Sequence, residues 1–68
     1  MINAAQSLSK REIEVLGLVS KGLASKEIAD KLFLSVNTVN NHKQNILEKI
    51  NASNTSQAVN YARNLGLI

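Results

Sequence analysis

A chain of 68 residues supports one domain, and at that size folding buries only about 60% of the surface the unfolded chain exposes. The absence of cysteine excludes disulfides and thiolate-held zinc, and one histidine with five scattered acids leaves no cluster for a metal, so no metal and no cofactor are expected. The net charge of +3 leans toward polyanionic partners; no apolar run approaches a membrane span and no basic, apolar leader opens the sequence, so a cytoplasmic setting away from the membrane is expected.

Residues 1–7 are small and polar and read as a linker remnant or disordered N-terminus, with the folded domain over 8–68. Ser9-Lys10-Arg11-Glu12 is a capping box: the Ser9 hydroxyl can accept from the Glu12 amide while the Glu12 carboxylate reaches back. It opens a first helix whose Ile13, Val15, Leu16, Leu18 and Val19 form a broad apolar arc, and Leu8 is placed to staple onto Ile13. Gly22 is placed to end this helix in a left-handed conformation. A short second helix is predicted over 25–33, with Ile28, Ala29 and Leu32 inward, and Leu34-Ser35 breaks it. Ser35 is a suitable N-cap for a third helix over 36–50. There Val36, Val39, Ile46, Leu47 and Ile50 share one side, while Asn37, Asn41, Gln44 and Glu48 lie opposite with Asn40 at the edge. Asn51-Ala52-Ser53 reads as a loop. Asn54 with Gln57 resembles a second capping box and opens a fourth helix to about Asn64. Gly66 ends it, and Leu67-Ile68 can fold back onto apolar surface. The expected fold is therefore all-α, a four-helix domain.

Two helices joined by a short turn, the second capped by serine, are the ingredients of a helix-turn-helix. Ala29 is small where the second member of such a pair crosses the first. The outer face of the third helix is unusual in its chemistry. Residues 35–45 carry five amides, Asn37, Asn40, Asn41, Gln44 and Asn45, although asparagine is a mediocre helix former. An amide offers a donor and an acceptor on one plane, which matches the N6 and N7 edge of adenine in the major groove. Amides also bond phosphate oxygens. The plain alternative is a polar solvent face, but idle helix surface is better filled by Glu, Lys, Gln or Ala.

Beyond pattern, the sequence resembles the LuxR/GerE-type helix-turn-helix domain, the DNA-binding output module of NarL/FixJ response regulators and of quorum sensors. The resemblance spans residues 8–68. It is carried by Leu8-Ser9-Lys10-Arg11-Glu12, Lys26-Glu27-Ile28-Ala29, Leu34-Ser35, Thr38-Val39, His42, Asn45-Ile46, Lys49-Ile50, Ala58-Val59 and Gly66-Leu67-Ile68. It implies a third helix in the major groove, with Asn40, Asn41 and Gln44 at the family's base-edge positions, joined by Asn37 on the same face. Lys26, Thr38 and Lys49 match positions that commonly touch the DNA backbone, and Ser35 and Lys43 join them as candidates. The family often dimerises through its last helix, where Ala58, Tyr61, Ala62 and Leu65 share one side; the competing reading packs that stripe on the first helix. Three positions depart from the family pattern: Asn40 stands where Lys or Arg is common, Thr55 where Arg is common, and Ala24 where the second helix commonly has a Ser or Thr cap.

Among the remaining polar residues, His42 reads as a packed structural histidine. The Lys43 stem is expected to cover apolar surface while its ammonium reaches water. Glu48 repels phosphate, and Lys10, Arg11, Lys21 and Lys31 read as solvated surface. No paired acid and base or nucleophile is apparent, so an enzyme is not expected. The reading is sequence-specific binding of double-stranded DNA by the output domain of a two-component response regulator, with RNA polymerase as a further candidate partner. On this view Met1 through Gln6 is a linker remnant and Leu67-Ile68 a natural end. The alternatives are a stand-alone GerE-like regulator and, from another class, a helical protein-interaction module that uses the amide face.

Overall fold

Four helices form between the caps that the sequence provides: α1 (Lys10–Ser20), α2 (Ser25–Leu32), α3 (Val36–Ile50) and α4 (Thr55–Asn64). They belong to a computed structural model that describes residues 8–68, so the linker expected over 1–7 lies outside the described residues. The fold is all-α, as expected.

The local signals act as the sequence requires. The Ser9 Oγ accepts from the Glu12 amide at 3.1 Å and the Glu12 Oε1 accepts from the Ser9 amide at 2.8 Å, which completes the capping box of α1. Gly22 takes φ +90°, and the Leu23 and Gly22 amides donate to the Leu18 and Val19 carbonyls. That is a Schellman ending, which satisfies carbonyls the helix leaves open. The same arrangement follows α4, where Gly66 has φ +74° and the Leu67 amide donates to Ala62. Leu67 then packs against the core, and Ile68 lies over Gly17.

Other boundaries differ from the sequence reading. Phe33 does not continue α2. It caps it in the left-handed region, φ 58°, and the residue is 93% exposed. The Leu34 amide donates to the Ala29 carbonyl, so the chain turns sharply into α3. Asn51 ends α3 in the same left-handed conformation, which asparagine tolerates because its short polar side chain bonds locally. At α4 the Asn54 side chain accepts from the Gln57 amide as expected, but the Gln57 side chain reaches one residue further back, to the Ser53 amide. Ala24 holds the N-cap position of α2 without a side-chain bond. Only the Glu27 half of a capping box is made there, from Glu27 Oε1 to the Ala24 amide at 2.8 Å.

The core is aliphatic. Val15, Leu16, Ile28, Val39 and Ile46 are its largest fully buried side chains, each contributing about 1.5–3 kcal/mol relative to exposure. Ala29, 3% exposed, sits where α2 packs on α3. Val36 was expected on the inner face, yet it is exposed: it stands at the very start of α3, a turn before Val39, the first residue of that helix to reach the core.

Ala58 and Ala62 correct the expectation of a dimer stripe. Both have 0% exposure, because α4 packs its alanine side against α1 and the rest of the core. Two small side chains let the helices approach closely within one chain and leave nothing of themselves for a second copy. Of the four residues, Tyr61 is half-buried and Leu65 alone is exposed.

Candidate nucleic-acid interface

α2 and α3 meet across a three-residue turn, Phe33-Leu34-Ser35, and pack against each other, with Ile28 and Ala29 of α2 and Val39 of α3 buried in the shared core. Ser35 caps α3 with its hydroxyl 3.1 Å from the Thr38 amide and 2.9 Å from the Thr38 hydroxyl. The inner side of α3 is therefore committed, and its outer side is fixed by that commitment. Asn37, Asn40, Asn41, Gln44 and Glu48 are all exposed along it. The structure thus brings the four predicted base-reading residues onto one solvent face.

The four amides are not equivalent. Asn37 and Asn41 make no side-chain hydrogen bond among the described residues. Gln44 Nε2 donates to Glu48 Oε2 at 3.3 Å, one turn along the helix. Asn40 is tied to the neighbouring helix: its Oδ1 accepts from the Ser25 hydroxyl at 2.8 Å, and Lys43 Nζ donates to that hydroxyl at 2.7 Å. Ser25 is the first residue of α2. The sequence does not single it out, since no local spacing marks a partner fifteen positions away.

The candidate backbone residues divide as well. Lys26 and Ser35 are exposed, on the first turn of α2 and at the start of α3, and Thr38 is half-buried beside Ser35. Lys43 is half-buried, and its ammonium, expected in water, donates to the Ser25 hydroxyl instead. Lys49 departs from expectation. Its ammonium lies 2.8 Å from Oε1 of the buried Glu12, so it neutralises a core carboxylate before it meets any phosphate. Burial is the largest influence on Glu12 and pushes its carboxyl upward. The Lys49 hydrogen bond, the Ser9 amide, the Lys49 charge and the Ser9 hydroxyl together outweigh it and hold the group below the usual carboxylate range. His42 is half-buried, in keeping with a packed role.

A two-helix unit of this geometry, with a capped second helix that displays an amide-rich face, defines a helix-turn-helix domain. Residues 6–62 match the family model described as bacterial regulatory proteins, luxR family, and the chain belongs to that family. It is similar to the oxygen regulatory protein NreC of Staphylococcus carnosus (strain TM300), 53% identical over 55 residues that make up 81% of this chain and 25% of that protein. NreC of Staphylococcus epidermidis is 51% identical over the same shares. The chain therefore spans about a quarter of the length of the curated relatives it matches. Among solved structures it is similar to Escherichia coli SdiA, with a TM-score of 0.89 and 44% identity over 100% of this chain and 29% of that one. It is also similar to ChrA, the response regulator of a heme-sensing two-component system, with a TM-score of 0.85 and 40% identity over 91% of this chain and 31% of that one. The chain is thus homologous to the output domains of NreC response regulators, a family of transcription regulators.

Proposed function

We propose that this domain binds double-stranded DNA sequence-specifically, with α3 in the major groove, as the output piece of a two-component response regulator. The observation that carries the reading is the exposed amide face of α3, held outward by a buried Val39–Ile46 side and a serine cap. Asn37, Asn40, Asn41 and Gln44 read base edges. Lys26, Thr38, Ser35 and Lys43 contact phosphates, with Lys49 secondary because it already serves Glu12. Binding takes place in the cytoplasm, without catalysis. No helix among the described residues is long and apolar enough to cross a membrane.

A homodimer through α4 would draw on Leu65 and the half-buried Tyr61 rather than on the alanines, which are enclosed. RNA polymerase is the partner expected beyond DNA for a transcription regulator.

Selection of bound duplexes from random DNA, followed by titration of the selected duplex at several salt concentrations, tests the reading. A defined consensus and an affinity that falls steeply as salt rises are expected, because each neutralised phosphate releases about 0.9 counterion. No consensus together with a flat salt response would favour the protein-interaction alternative.

A further inference from the structure

The bonds that join Lys43, Ser25 and Asn40 fix a direction as well as a position. An ammonium has only donors, so Lys43 Nζ, 2.7 Å from Ser25 Oγ, donates to it. The single hydroxyl hydrogen of Ser25 is then directed at Asn40 Oδ1, 2.8 Å away. The ammonium polarises the hydroxyl and strengthens that donation, as successive hydrogen bonds do when they run in one sense. One lone pair of the Asn40 carbonyl is thereby engaged by the protein itself and its oxygen is turned toward α2, on a residue that stands on the exposed edge of α3. Lys43 lies three residues after Asn40 on the same helix side, and Ser25 sits on α2, so two helices hold this one amide.

We infer that Ser25 and Lys43 are positioning residues that turn the Asn40 oxygen toward α2 and so preset Asn40 to read a base edge mainly through its NH₂ donor. A group that leads with its donor complements guanine, whose major-groove edge offers O6 and N7 as acceptors, and next thymine O4. It matches the donor and acceptor pair of adenine less well than a freely rotating asparagine would, and the N4 donor of cytosine least. Because the orientation exists before DNA arrives, it is not paid for at binding, which is the advantage of preorganisation. Asn37 and Asn41, with both amide groups uncommitted among the described residues, keep the adenine match. The three asparagines thus read two different edges. This inference rests on the DNA-binding reading above.

The test compares duplex selections by the 68-residue chain with those of its Asn40→Ala, Ser25→Ala and Ser25→Thr variants. For the unaltered chain one base-pair position should prefer guanine or thymine on one strand, and Asn40→Ala should flatten that position alone. Ser25→Ala should raise the adenine-to-guanine ratio there by about tenfold, within the range one good amide–base pair discriminates. Ser25→Thr, which keeps the hydroxyl, should restore the original preference. A purely structural role for Ser25 would move the melting temperature and overall affinity, not the preference at one position. An unchanged preference in Ser25→Ala, with a normal consensus for the unaltered chain, overturns the positioning role and leaves DNA binding intact. Adenine preference at the Asn40-dependent position of the unaltered chain overturns it too. Failure of the unaltered chain to select any duplex overturns both readings at once.

Discussion

Glu12 carries two structural duties on one oxygen, since its Oε1 accepts from the Ser9 amide and from Lys49 Nζ, both at 2.8 Å. Its folded-state pKa is lowered, so it binds protons less readily folded than unfolded. The resulting stability is fully present above the unfolded carboxyl value, about 4.3, and is lost as pH falls through the lower folded value. Lys49→Met removes the charge and one of the donors that together outweigh burial. Urea denaturation should show it less stable than the parent by about 1–3 kcal/mol at neutral pH, the cost of leaving a buried polar group short of a partner. That gap should narrow below pH 4 as the carboxyl protonates; a pH-independent gap would mean that only the packing of the lysine stem was lost. The Ser9–Glu12 half of this cluster was legible because capping is local, three residues apart. The Lys49 half was not, because its partner is 37 positions distant and only the packing of α1 on α3 joins them. Phe33 gives a second prediction at this scale. An aromatic residue at φ 58°, almost fully exposed, bears the left-handed penalty and recovers no burial. Phe33→Gly should therefore raise the denaturation midpoint, by about 0.5–1 kcal/mol after the added freedom of the unfolded glycine.

Helix boundaries followed from caps and periodicity to within a residue, because each signal acts on its own helix end. What periodicity could not decide was which of two neighbours an apolar stripe would meet. Ala58 and Ala62 are spaced for a close helix contact, and that contact is the one α4 makes within its own chain. Ala62→Glu should therefore unfold the domain, seen as loss of far-UV helical signal, since a buried unpaired carboxylate costs several kcal/mol in so small a core. Leu65→Glu, on an exposed position, should leave the helical signal and melting curve nearly unchanged while weakening any pairing of two copies on DNA. A folded Ala62→Glu would return that alanine to the surface. At the start of α2, Ala24→Ser should supply the missing acceptor for the Glu27 amide and complete a box already half made. About 0.5–1.5 kcal/mol of stabilisation is expected in chemical denaturation. An unchanged midpoint would mean that the Glu27 carboxylate already satisfies that helix end.

Across the whole molecule the positive charges are not interchangeable, though the family resemblance put Lys26 and Lys49 alike among positions that commonly touch the DNA backbone. Lys26 is exposed on the first turn of α2, whereas Lys49 is bound to a buried carboxylate on α1. A cation that already neutralises a core anion adds little net charge toward phosphates, and its removal strips the core before it strips the interface. The two substitutions should therefore separate two observables. Lys26→Ala should leave the melting temperature within about a degree or two, since surface substitutions stay within about 0.5 kcal/mol. It should weaken binding to all duplexes alike and lower the slope of log affinity against log salt by about 0.9. Lys49→Ala should do the reverse, with a clearly lower melting temperature and a slope altered by much less than one unit. Base preference should not change in either, because neither side chain lies among the amides of the outer face. A full-unit loss of slope in Lys49→Ala with its stability intact would put Lys49 on a phosphate and Glu12 in need of another partner.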